Sequence, residues 1–262
     1  SFTYIYLTKN LKYIFIFFRN KLYKIKIKLS NPRFYIFLFL RILYPNVINS
    51  KYRRNVSSMF FYSSSIFNWF KDEADYLLYQ HQLNSNSFVV DAGAYHGNWS
   101  EKIYKTYQCE IYAYEPIKNY FHTFEKRMKN YDRIKGYNFG LGDENKKIGV
   151  ELKGVQTTLL HEVENPNEYI FIRDIRKIKK LQNKEIDLFH INIEGGEYKL
   201  LEVLINSKLI INIKTLEVQF HEWFPTMKES KTLRNALHLG LIKTHKLIYS
   251  YDFVWEKWSR TS

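Results

Sequence analysis

The chain has a single cysteine, Cys109, among its 262 residues. A disulfide framework is thereby excluded. Acidic residues are missing from the first quarter of the sequence: none precedes Asp72, although the same stretch holds 13 Lys and Arg. Apolar runs of membrane-spanning length are missing too. Tyr13–Phe18 and Phe34–Leu40 fall short of the ~20 residues that a bilayer span needs, and Arg19 and Arg41 interrupt them. No small-residue cleavage site follows the first run, so no secretory signal is read there. The chain begins at Ser1 rather than Met, which leaves the natural N-terminus open. Alanine is scarce, while Tyr and Phe number 22 and 20. With abundant Lys, Ile and Asn this looks like drift in an AT-rich genome, so aromatic and lysine counts alone carry no functional argument. What is present excludes disorder, since 45% of the chain is hydrophobic.

The net charge of +14 is lopsided. Residues 1–71 carry nearly all of it, and residues 72–262 balance their acids and bases to within one charge. The expected organisation is a basic aromatic N-terminal module, 1–71, joined to a nearly neutral domain, 72–262. Leu11, Phe15, Phe18, Leu22, Ile25 and Leu29 share one helical face. Lys24–Leu29 also alternates, which keeps a strand open there. Pro32 can open a second helix that runs to Tyr44 and is closed by Pro45. Two readings follow: a helical pair packed on the main domain or on a second subunit, or a surface that meets anionic lipid or nucleic acid. Unopposed positive charge beside large apolar side chains suits lipid. Ser57–Ser65 reads as a hinge.

From Ser87 onward, apolar runs of strand length alternate with helical stretches. Strands are expected at 88–90, 110–114, 136–139, 186–193 and 212–220, with helices at 98–107, 118–130, 197–206 and 227–239. A hairpin and one helical turn are expected within 145–180, and a closing hairpin at 242–249 and 253–258. Such alternation builds an α/β fold: a mostly parallel, seven-stranded sheet with helices on both faces and a terminal antiparallel hairpin.

The first strand ends at Asp91 and runs into a turn containing Gly93, Ala94, Tyr95 and Gly97, with Ser100 opening the next helix. Glycines there let backbone approach a ligand where a Cβ would collide. An acid in the turn repels phosphate but suits a cationic group, such as the amino-acid end of S-adenosyl-L-methionine. The second strand ends at Glu115 and Pro116, where a carboxylate is placed to accept ribose hydroxyls. Asn138, Phe139 and Gly140 end the third strand and are expected to border the base.

The segments VVDAGAYHGNWS (89–100), YEP (114–116), YNFGLGD (137–143), HINIEGGEYKLLE (190–202) and TLEVQFH (215–221) resemble, in order, the FkbM family of S-adenosylmethionine-dependent methyltransferases. The resemblance implies a Rossmann-like class I methyltransferase fold and O-methylation, commonly of sugar hydroxyls in glycans. It covers most of residues 87–221 and none of 1–71. The family usually has Lys and Asp where this chain has His190 and Asn192. Asn cannot act as a base and is a poorer ligand for a hard cation than Asp, so no metal site is expected.

Methyl transfer to a hydroxyl needs a group to take the proton. His221 is the first choice, because a free imidazole titrates near neutrality. Glu194 is the second, as base or as the group that orients His221, unless it caps the helix beginning near Gly195. Asn192 is expected to position cofactor or acceptor, and His190 to be structural. Thr157 and Thr158 are candidates for acceptor contact or for a plain turn.

The expected function is therefore methylation of a sugar hydroxyl on a glycan or its lipid-linked precursor, in the cytoplasm or peripherally at a membrane reached through residues 1–71. An RNA ribose 2'-O-methyltransferase is a weaker fit, because the positive charge avoids the catalytic half and Asn192 breaks the Lys-Asp-Lys-Glu tetrad that such enzymes use. A non-catalytic binding module is the third reading. The oligomeric state is open, with a homodimer compatible.

Overall fold

The computed structural model describes residues 65–66, 68–150, 166–222 and 227–261. The helices expected within 11–44, the hinge up to residue 64, and Thr157 and Thr158 lie outside the described residues.

Phe88–Ala92 (β1) is buried along its whole length, as expected of a strand covered on both faces. It pairs in parallel with Glu110–Tyr114 (β2) on one side and Ile186–Ile191 (β7) on the other. Ile134–Tyr137 (β3) extends the sheet beyond β2, and Ile213–Val218 (β8) extends it beyond β7. Trp255–Arg260 (β10) then lies antiparallel between β8 and His245–Tyr251 (β9). The order is β3-β2-β1-β7-β8-β10-β9. This is the expected seven-stranded sheet with its closing antiparallel hairpin. Strand order reverses between β1 and β7, and ligands of open α/β sheets bind beyond the strand ends at such a point.

Helices cover both faces. On one, Asn98–Tyr107 (α1) and Lys118–Met128 (α2) set Ile103, Phe124 and Met128 on Val89, Ile111 and Leu188. On the other, Glu197–Asn206 (α4) and Met227–Leu241 (α5) set Leu200, Leu204, Leu237 and Leu241 on Phe189, Leu216 and Trp258. Each such fully buried side chain contributes roughly 1.5–3 kcal/mol. Trp69 is buried with Val254 and Trp255, so the residues just before Asp72 pack against the closing hairpin.

The largest departures from expectation lie at 136–180. The third strand is Ile134–Tyr137, not 136–139. The chain then leaves the main sheet, and Gly140–Gly142 (β4) joins a second sheet in which Glu168–Asp174 (β6) is central and Lys146–Val150 (β5) is the other edge. Glycine is needed in β4, because a Cβ on Gly142 would come within 2.4 Å of the Ile172 side chain. In place of one helical turn there are a 3-10 turn, Ile175–Lys177, and a short helix, Lys179–Gln182 (α3). The strands expected to reach Ile193 and Phe220 stop at Ile191 and Val218.

Candidate active site

A cavity of about 1130 Å³ opens at the carboxyl ends of β1, β2 and β7. Gly93, Tyr95, Glu115, Pro116, Gly140, Asn192 and Glu194 line it, together with Tyr120, Leu141, Asp143 and Tyr198, which the sequence did not single out. The turn after β1 is held tightly. Gly93 and Ala94 donate backbone N–H bonds to the Tyr114 carbonyl at 2.9 and 3.1 Å. Gly93 has φ 90°, and a Cβ there would lie 1.9 Å from the Asn192 carbonyl oxygen. No side chain fits between the tips of β1 and β7. Gly97 serves packing instead, since a Cβ would strike Met128 and Phe124.

Asp91 is buried and accepts a 2.5 Å hydrogen bond from the Ser100 hydroxyl. Burial pushes its carboxyl upward, against the opposing effects of His190 and Ser100. Neither Asp91 nor Ser100 lines the cavity. The pair instead ties the end of β1 to the first turn of α1. Glu115 does face the cavity. One of its oxygens accepts the Tyr95 N–H at 2.9 Å and the other the Ile117 N–H at 2.8 Å. Burial raises its carboxyl to about 7, despite these bonds. Each oxygen keeps a lone pair for a ligand hydroxyl. Asn138 donates to the carbonyls of Glu115 and Pro116 and so shapes the strand tip from behind. Phe139 packs on Tyr114 and Tyr137, away from this cavity.

After β7 the chain leaves the extended conformation: Glu194 has φ 50° and Gly195 φ 102°. Strand alternation therefore cannot place the residues beyond Ile191. Glu197, which the sequence reading passed over, organises the turn. Its fully buried carboxylate accepts the Gly195 N–H at 2.7 Å, the His221 N–H at 2.7 Å and lies 3.1 Å from His221 Nδ1. No side chain caps α4, so the alternative reading of Glu194 as its cap does not hold, and Glu197 braces the turn that precedes the helix. Glu194 Oε1 stands 3.6 Å from the other imidazole nitrogen, Nε2. Tyr198 donates its hydroxyl to the His221 carbonyl at 2.7 Å. The result is a row, Glu194–His221–Glu197, of which Glu194 reaches the cavity wall and His221 stands behind it.

Burial alone would lower the His221 imidazole, but the bond to Glu197 and the charges of Glu197 and Glu194 outweigh it and raise it. Burial raises Glu194, with His221 opposing. Asn192 contributes differently. Its Oδ1 is buried without a hydrogen-bond partner among the described residues, on a residue that lines the cavity. A buried acceptor left unpaired costs roughly 1–3 kcal/mol, and a ligand N–H would relieve it. An orphan acceptor, a buried carboxylate with spare lone pairs and a side-chain-free turn together fit the ammonium, ribose and backbone-hugging parts of S-adenosylmethionine.

His190, the other departure from the family pattern, lies elsewhere. Its Nδ1 is 3.0 Å from Glu217, and its ring is stacked between Trp99 and Trp255.

Among solved structures, an assigned rRNA methylase from Clostridium thermocellum is 12% identical with a TM-score of 0.47, over 73% of this chain and 95% of that one. A Streptococcus mutans methyltransferase with S-adenosylhomocysteine bound is 10% identical, TM-score 0.45, over 72% and 97%. A Podospora anserina methyltransferase, also with S-adenosylhomocysteine, is 11% identical, TM-score 0.43, over 67% and 72%. No curated protein matches the chain. The family model of the methyltransferase FkbM domain matches residues 91–239. That stretch carries the turn after β1, Glu115 and the whole Glu194–His221–Glu197 row, and the chain belongs to this family of methyltransferases, with S-adenosylmethionine as the methyl donor.

Proposed function

We propose that the chain is an O-methyltransferase whose acceptor is a sugar hydroxyl of a glycan or glycan precursor, with Glu194 as the base. The observation that carries this reading is the Glu194–His221–Glu197 row at the wall of the cavity. When bound, S-adenosylmethionine supplies an electrophilic methyl group. Glu115 would hold the ribose hydroxyls, Asn192 Oδ1 would accept from the ammonium, and Gly93 would keep the turn open to both. Glu194 takes the hydroxyl proton. Its carboxyl is raised by burial, which brings a carboxylate closer to the operating pH of a useful base. His221 is raised by the neighbouring carboxylates and does not itself line the cavity. It orients and stabilises the Glu194 carboxylate, and Glu197 fixes the ring through Nδ1. This exchanges the roles that the sequence alone favoured.

The basic segment 1–71 would hold the enzyme against an anionic surface. No described helix is long and apolar enough to cross a membrane.

The test is transfer of labelled methyl from S-adenosylmethionine by the full-length chain, offered glycans and RNA in parallel. The expected result is label recovered as an alkali-stable methyl ether on sugar. Label in RNA alone, or cofactor binding without transfer to any hydroxyl acceptor, overturns the reading.

A further inference from the structure

The second sheet turns one face away from the domain. Its central strand, β6, buries Ile170 and Ile172 with Ile117 and Val150, and alternation sends Tyr169, Phe171 and Arg173 outward. Tyr169 and Phe171 are 54% and 55% exposed. Lys147 of β5 stands in register with Phe171. A groove of about 670 Å³ runs along this sheet toward Tyr137 and Phe139, with Lys177 and Lys180 on its far wall. Lys146 and Ile172 line both this groove and the main cavity, so the two adjoin at these residues.

The charge of the groove is one-sided. Its one described acid, Asp174, is already held through both oxygens by Arg176. Lys147, Arg173 and Lys180 have no carboxylate partner among the described residues. They rest on rings instead: Lys147 lies 4.2 Å from the Tyr169 centroid and Arg173 4.2 Å from that of Phe139. Exposed aromatics joined to unpaired cations mark a ligand surface rather than a solvated face.

We propose that this groove binds an anionic glycan, stacking a sugar ring on Phe171 and pairing acidic groups with Lys147, Arg173 and Lys180, so that an extended acceptor is held beside the methyl-transfer cavity. The inference rests on the glycan reading of the cavity and adds a second holding point to it. Sugar rings offer flat C–H faces to aromatic rings, and their carboxylates or phosphates suit Lys and Arg. Nucleic acid is the poorer fit. A polyanionic backbone is gathered by a broad basic field, and residues 72–262 are close to neutral.

The test is binding of a short oligogalacturonide to the full-length chain without cofactor, beside oligouridine, for the wild type and for Phe171→Ala and Arg173→Ala. Both side chains are exposed, so melting temperatures should stay near the wild-type value. Each variant is expected to weaken saccharide binding about tenfold, and carbodiimide cross-links are expected at Lys147 or Lys180. Unchanged affinity in both variants, or cross-links confined to residues 1–71, overturns the proposal. So does oligouridine that binds more tightly than the saccharide and is lost in the same variants. The assay needs no methyl transfer, so its failure leaves the cavity reading intact. Failure of transfer with the groove binding intact removes the cavity reading instead.

Discussion

Two histidine–glutamate contacts join the β7 and β8 segments, and they have opposite fates. His190 and Glu217 meet at 3.0 Å inside the sheet, and His221 and Glu197 meet at 3.1 Å beyond its edge. The first is sealed. Trp99 and Trp255 cover both faces of the His190 ring, and Glu217 also accepts from the Tyr249 hydroxyl and lies 3.6 Å from Lys257. The second opens outward through Glu194, whose side chain is 40% exposed. Residue type does not separate a brace from a reaction centre here. Access does, and access follows from where each strand ends.

The comparison breaks most sharply at Glu194. Glu194→Gln should cost about 10²–10⁴-fold in turnover, with S-adenosylmethionine affinity almost unchanged by calorimetry. In the wild type, activity should rise with pH along a limb above the usual carboxylate range, because the base works deprotonated and burial raises Glu194. Glu194→Gln should abolish that limb. If the limb survives in Glu194→Gln and vanishes in His221→Ala, His221 is the base and the assigned roles are reversed.

The sealed pair should respond in stability rather than rate. Glu217→Ala leaves the His190 site and Lys257 without their buried carboxylate, a loss of about 3–5 kcal/mol. Denaturant unfolding should show it, while turnover per folded molecule holds. A variant as stable as the wild type but slow would place Glu217 in the chemistry.

Glu115 sharpens the contrast from the ligand side. Its folded-state carboxyl is raised to about 7. Its stabilising contribution is therefore full below the ordinary carboxylate range and is lost as pH rises toward 7. Glu115→Gln should remove this slope from the ligand-free protein, while its amide nitrogen gives up one of the two backbone N–H bonds that the carboxylate accepts. The same variant should weaken cofactor binding by roughly 1.5–3 kcal/mol. Melting curves across pH check the first part and calorimetry the second. Equal slopes in both proteins would show that Glu115 is not the group being titrated.

Glu197→Gln should give the smallest effect, about tenfold in turnover. The decisive readout is an NMR titration of His221, whose pKa should fall once the Glu197 charge is gone. An unmoved His221 would leave Glu197 as a brace for Gly195 alone.

Much of this was legible beforehand, for identifiable reasons. The helices at 98–107 and 197–206 and the strand at 110–114 fall where they were expected, because each has a clean period and a polar or glycine boundary. The second sheet was not legible. β4 is only three residues long, Gly-Leu-Gly, and finds its partner 32 residues later in β6, so no local pattern announces it. Glu197 was hidden differently. It looks like an ordinary acid in a first helical turn, and only the backward fold of residues 194–196 brings it to His221. Asp91 was placed in the right turn, but alternation along β1 could not tell that its carboxylate would be spent on Ser100.

The position of β10 also sets the order in which the molecule can be finished during synthesis. β10 is made after both of its neighbours, β8 and β9, yet it lies between them. A nascent chain that has reached the end of α5 holds β8 with one row of backbone donors and acceptors still open, the arrangement that recruits foreign strands. Arrival of Trp255–Arg260 closes that row and buries Trp258 in the core. The strand leading to His221 thus stays vulnerable on the ribosome until residues far from the reacting cavity have been added, and substitutions in β10 should reduce the yield of soluble enzyme before they touch its rate.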